Sequence, residues 1–79
     1  MRVFIEILGW YGTVAIVGAY ALVSFSLLDA ESLMYQMLNG TGAVGIVLVS
    51  LHKRAYQPAV LNAIWTVIAL LAILRLLAT

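Results

Sequence analysis

The chain has 79 residues, 66% of them hydrophobic and 9% charged, with a formal net charge of +1 and a mean hydropathy of +1.16. An ordinary soluble domain is nearer half apolar and a quarter charged, and one this small has too little interior to hide such a surface from water. A soluble fold is therefore excluded, the small charge offers no footprint for nucleic acid, and with no cysteine there is neither a disulfide framework nor a thiolate metal site.

The charges divide the chain into three apolar windows. Twenty-two uncharged residues separate Glu6 from Asp29, twenty separate Glu31 from His52, and twenty separate Arg54 from Arg75. About 20 helical residues cross about 30 Å of hydrocarbon. Open strands are excluded at that depth because their unpaired backbone groups find no water. The expectation is an all-α integral membrane bundle of three transmembrane helices, near 5–28, 30–51 and 58–77, forming one domain over 1–79.

The first window has a rival reading as a signal peptide, with a basic Arg2, an apolar run and an Ala19-Tyr20-Ala21 that mimics a cleavage site. Glu6 is out of place in such a leader, so the run is expected to remain as a span. The first connection is short. Asp29 is expected as the N-cap of the second helix, with Glu31 and Ser32 in its first turn, where carboxylates complement the positive end of the helix dipole. In the second connection, "HKRAYQP", basic residues close one helix and Pro58 opens the next at a position where its missing N–H costs nothing.

Three crossings put the N-terminus and the 52–57 loop on one side, with Arg2, Lys53 and Arg54. Asp29, Glu31 and Arg75 fall on the other. Lysine and arginine favour the cytoplasm, so the N-terminus is expected there and the C-terminus in the periplasm, across a bacterial inner membrane. Trp10, Tyr11 and Tyr56 would then anchor the cytoplasmic interface, together with the basic cluster His52, Lys53 and Arg54.

Each window carries a stripe of small or polar residues. At 100° per residue, Ser32, Tyr35, Gln36, Asn39, Ala43 and Ser50 share one face of the second helix. Ala59, Asn62, Thr66 and Ala69 do so in the third helix, and Gly12, Ala15, Ala19 and Ser26 in the first. Membrane helices associate through close packing and interhelical hydrogen bonds, since lipid supplies no hydrophobic drive. Gln36, Asn39, Asn62 and Thr66 are thus expected as polar packing residues, and Gly12, Ala15, Ala19, Gly42 and Gly45 as small ones, with the stripes converging on a common core. The competing reading is that Gln36, Asn39 and Asn62 line a path or a pocket. Gly42 and Gly45 point away from the Asn39 stripe and require a partner of their own, either the first helix or another protein.

No nucleophile–base pair, metal-ligand cluster or phosphate loop can be assembled from these residues, so an enzyme is not expected. His52, the only histidine, is a cation at a helix C-terminus before it is a haem or pigment ligand. A rotor-ring subunit would carry a carboxylate at mid-membrane. A small multidrug exporter would have four helices and a buried acid, and a light-harvesting polypeptide would have a histidine deep in a single span. None of these patterns is present.

The run from Ser32 to Leu74 resembles a group of short, uncharacterised bacterial three-helix membrane proteins. Tyr35-Gln36, Leu38-Asn39, Gly42, Lys53-Arg54, Pro58 and Leu61-Asn62 with Trp65 carry the likeness, and Leu8-Gly9 and Tyr20-Ala21 extend it into the first helix. The resemblance implies the fold and no activity. A looser likeness, in length and helix count only, is to the semi-SWEET half-transporters. Their proline-glutamine motif in the first helix is absent here; Gln57-Pro58 has the reverse order and lies in a loop.

The leading expectation is a non-catalytic accessory subunit that packs against a larger respiratory or photosynthetic membrane complex and fills or seals its lipid boundary. Its partners would be membrane lipids and other membrane subunits. No intrinsic cofactor is expected, and a lipid, quinone or pigment would bind at the surface. One alternative is a homo-oligomeric half-transporter for a small polar solute, with Asn39 and Asn62 of two copies along the path. Another is a lipid-binding protein that uses the His52-Lys53-Arg54 patch.

Overall fold

The computed structural model describes residues 2–78 and consists of helices joined by two turns. Helix α1 runs Arg2–Ser24, α2 runs Leu33–His52 and α3 runs Tyr56–Ala78. All three are long and apolar enough to cross a membrane, and the described residues contain no strand.

The helix ends differ from the sequence expectation by several residues, for local reasons. Helix α1 stops at Ser24 rather than near 28 because Ser26 takes a left-handed conformation, φ 61°. The Leu27 N–H then donates to the Leu22 carbonyl at 2.8 Å and the Ser26 N–H to the Val23 carbonyl at 3.0 Å. This is the paired hydrogen bonding of a Schellman cap, built on a serine where glycine is usual. The first connection accordingly covers residues 25–32. Asp29 does not cap α2. Its Oδ1 accepts from the Glu31 N–H at 2.9 Å in a local turn, and the cap is Ser32, whose hydroxyl accepts from the Tyr35 N–H at 3.2 Å. A two-atom side chain at the extended Ser32 backbone reaches an orphan N–H of the first turn, whereas Asp29 lies three residues too early.

The second connection repeats the first cap. Arg54 sits at φ 58°, with its N–H on the Leu51 carbonyl at 3.1 Å and the Ala55 N–H on the Ser50 carbonyl at 2.8 Å. Pro58 is the third residue of α3, still inside the first turn, where no intrahelical N–H bond is lost.

The small and polar stripes do not converge on one core. Helix α2 lies between the other two and packs against each, while α1 and α3 do not meet among the described residues. Taking 100° per residue, the Gly42–Gly45 face and the Asn39–Ala43 face of α2 are roughly 110° apart. Helices leaning on faces so far apart are held out of reach of each other. The buried set is correspondingly small in size: Ala15, Ala19, Ala43, Ala59 and Ala69, with glycines of α1 and α2 and the polar Asn39 and Ser50. Among the described residues no large side chain is fully enclosed. The big apolar residues point outward, as in a protein whose solvent is hydrocarbon.

Candidate functional site

The seam between α1 and α2 is built from backbone. A Cβ placed on Gly12 would collide with the Gly42 carbonyl oxygen, and one on Gly45 with the Leu8 carbonyl oxygen. On Gly42 it would lie 3.0 Å from Ile16 Cγ1 and 3.2 Å from Ala15 Cβ. These glycines let the two main chains touch, which is how helices bind tightly where no hydrophobic effect operates. The partner that Gly42 and Gly45 require is thus the first helix, and Gly9 continues the seam against Val49. Gly12, Ala15 and Ala19 are all buried on the same face of α1.

Tyr11, expected at the interface, also extends this seam. Its hydroxyl lies 2.6 Å from Thr41 Oγ1. Thr41 has one hydroxyl proton and gives it to the Met37 carbonyl at 2.6 Å, so Tyr11 is the donor. Trp10 remains largely exposed and borders a cleft with Glu6, Thr13, Val49 and Lys53. At the end of the seam Lys53 Nζ meets Glu6 Oε1 at 3.0 Å, and Arg2 and His52 line the cleft beside that pair. The basic cluster is therefore split: Lys53 faces α1, and Arg54 serves as the left-handed residue of the turn. Tyr56, the first residue of α3, is exposed beside it.

The α2–α3 seam is made differently. Ala43 is fully buried, and Gly40 faces Ala69 so closely that a Cβ would stand 3.1 Å from that methyl. The polar residues expected to bond across it mostly satisfy themselves. Asn62 Nδ2 donates to the Pro58 carbonyl at 3.0 Å and Thr66 Oγ1 to the Asn62 carbonyl at 2.8 Å, both one turn back on their own helix. Gln36 Nε2 reaches the Ala30 carbonyl of the first connection at 3.3 Å. As interhelical glue, then, Asn62, Thr66 and Gln36 are corrected: each bonds a carbonyl of its own helix or of the adjoining turn.

Asn39 is the exception. It is only 8% exposed, yet its side chain has no hydrogen-bond partner among the described residues. None of its polar atoms is fully covered either. The amide opens into a cleft of about 180 Å³ lined by Tyr35, Gln36, Asn39, Trp65, Ile68 and Ala69. Six residues beyond Leu33, it stands about 9 Å into α2, nearer mid-helix than the end. An uncharged amide that can both donate and accept, at the floor of an aromatic-walled cleft, is the most chemically distinctive feature of the molecule.

A family model matches residues 5–79, nearly the whole chain. The chain belongs to that family. The family is uncharacterised, so membership assigns no activity. No curated protein and no solved structure matches the chain. Sequence reasoning placed Asn39 on a packing stripe. It also put Tyr35 on that stripe; what it missed was Trp65 as the facing cleft wall, because an aromatic residue in an apolar span carries no signal of which neighbour it faces.

Proposed function

We propose that this protein is a non-catalytic accessory subunit that docks onto a larger membrane complex of respiratory or photosynthetic type and fills its lipid boundary. The observation that carries the reading is the open arrangement of the helices. Helix α2 is packed on two faces while α1 and α3 stay apart, so three helices enclose no path, and long apolar faces of α1 and α3 are left to neighbours. The chemistry within the spans agrees. Between Ile7 and Leu51, and again between Ala55 and Leu74, the helices hold amides and hydroxyls but no imidazole or amine, and the carboxylates Asp29 and Glu31 lie in the connection.

The half-transporter alternative draws on one specific observation, the uncommitted amide of Asn39. Against it, the Asn62 side chain is already bonded to its own helix. The proposed setting is the bacterial inner membrane with the N-terminus cytoplasmic, since Arg2, Lys53 and Arg54 share one side.

Membranes solubilised in a mild detergent and separated under native conditions test the subunit reading. The protein should migrate with a large complex at fixed stoichiometry through a second purification step. Migration as a homodimer would replace this reading with the half-transporter. For orientation, a cysteine replacing Arg54 should be shielded from an impermeant thiol reagent in intact cells, and one replacing Ala30 should label. The reverse pattern would invert the topology.

A further inference from the structure

We infer that the cleft at Asn39 is a binding site for an uncharged, lipid-soluble ring compound that presents a carbonyl or hydroxyl to the Asn39 amide. Three features of the cleft define that class. The first is the amide. Left in hydrocarbon without a partner, it costs several kcal/mol, yet it is nine-tenths buried and still reachable through the cleft. Its Nδ2 can donate to a carbonyl and its Oδ1 can accept from a hydroxyl.

The second feature is shape. Asn39 is 8% exposed while Trp65, which lines the same cleft, is 46% exposed, so the amide is set deeper than the indole beside it. A volume of about 180 Å³ suits one ring with its substituents and is below the size of a pocket that encloses a whole drug-sized molecule. Trp65 and Tyr35 offer flat apolar faces for stacking, and Ile68 and Ala69 complete an apolar wall.

The third is charge. No charged residue lines this cleft. The clefts that do carry charge, bordered by Arg2, Glu6, His52 and Lys53, lie at the opposite end of α2. A charged headgroup would find no counter-ion at Asn39, whereas a neutral carbonyl gains a hydrogen bond and its apolar tail stays in lipid. Tyr35, which also lines the cleft, has a hydroxyl with no partner among the described residues.

Decylubiquinone, a neutral ring dione with an alkyl tail, is a direct probe because quinones quench tryptophan fluorescence. The full chain in detergent micelles carries Trp10→Phe, so that Trp65 is the only tryptophan and is excited selectively at the red edge of its absorption. Saturable quenching of Trp65 is expected. Replacing Asn39 with Ala, which keeps the cleft open but removes the amide, should weaken the apparent affinity about fivefold to tenfold, the worth of one hydrogen bond. Asn39→Leu, which fills the cleft, should abolish the saturable part and leave only linear quenching by quinone dissolved in the micelle. Decylbenzene, with the ring and tail but no oxygen, should fail to compete. Circular dichroism checks that each variant keeps its helices. Linear quenching in the Trp10→Phe chain would overturn the inference, as would equal affinity with and without the Asn39 amide.

Discussion

The two seams of α2 join it to helices of equal length, yet they are different kinds of contact. Against α1, glycine meets glycine and carbonyl oxygens stand where side chains would begin. Against α3, alanines and a self-bonded threonine leave clefts on either side, one at Asn39 and another bordered by Val44, Ala63 and Thr66. The contrast teaches that α2 is the least apolar of the three spans because it alone faces protein on two sides. The backbone seam fixes the hairpin, and the looser seam is where something further can be bound.

The strongest way to break the comparison is to crowd the tight seam. Gly12→Leu drives a side chain into the Gly42 carbonyl, which belongs to a helix and cannot step aside. The expected cost is about 3 kcal/mol, the upper part of the range for overpacking a close-fitted interior, read as lost resistance to denaturation in mixed micelles. Gly18→Ala is the control, since nothing lies within 4 Å of the added Cβ, and it should cost nothing, helix propensity favouring alanine over glycine. An equal loss in both variants would mean that the cost does not arise at the seam.

Asn39→Leu probes the loose seam and should have the opposite sign. Had Asn39 bonded across to α3, its loss would cost about 0.6 to 2 kcal/mol. With no partner to lose and an open cleft to fill, the leucine variant should be as resistant as the parent or up to about 1 kcal/mol more so, roughly the value of the apolar groups added. A loss of 1 kcal/mol or more, in round order of magnitude, would restore the packing role.

These two residues also mark how far the sequence could be read. The spans were legible because charge is expelled from hydrocarbon, and the distances between Glu6, Asp29, Glu31, His52, Arg54 and Arg75 count the crossings directly. The early end of α1 was not legible. Its left-handed cap falls on Ser26 where glycine would have announced it, and Phe25, Leu27 and Leu28 prolong the apolar run past the turn. Helical periodicity placed Asn39 and Gly42 on different faces. It could not say which helix meets each face, because glycine and alanine stripes on α1 and α3 fit either. Nor does periodicity distinguish a bond across a seam from one made a turn back, and Asn62 and Thr66 took the latter.

A smaller effect sharpens the tight seam. Tyr11→Phe removes the donor to Thr41 while Thr41 keeps its own bond to Met37, so no buried group is orphaned beyond one lone pair. The loss should be about 0.6 kcal/mol, the average for a side-chain bond between membrane helices. Thr41→Val should cost a similar amount, and the double variant no more than either alone; additive losses would show that the two hydroxyls do not act together.

The least effect belongs to the ion pair at this seam's outer end. Lys53 and Glu6 hold 3.0 Å between charged atoms, but their side chains are 58% and 44% exposed. Water and salt screen such a pair, and ordering two long side chains offsets part of the attraction. Lys53→Gln should therefore lower resistance by no more than about 0.5 kcal/mol, and the difference should shrink as salt is raised to about 1 M. Glu6→Gln should match it, because each change removes the same single attraction. If either variant instead cost as much as Gly12→Leu, the hairpin would be held by its charged end and not by its glycines, and the contrast between backbone seam and open seam would lose its basis.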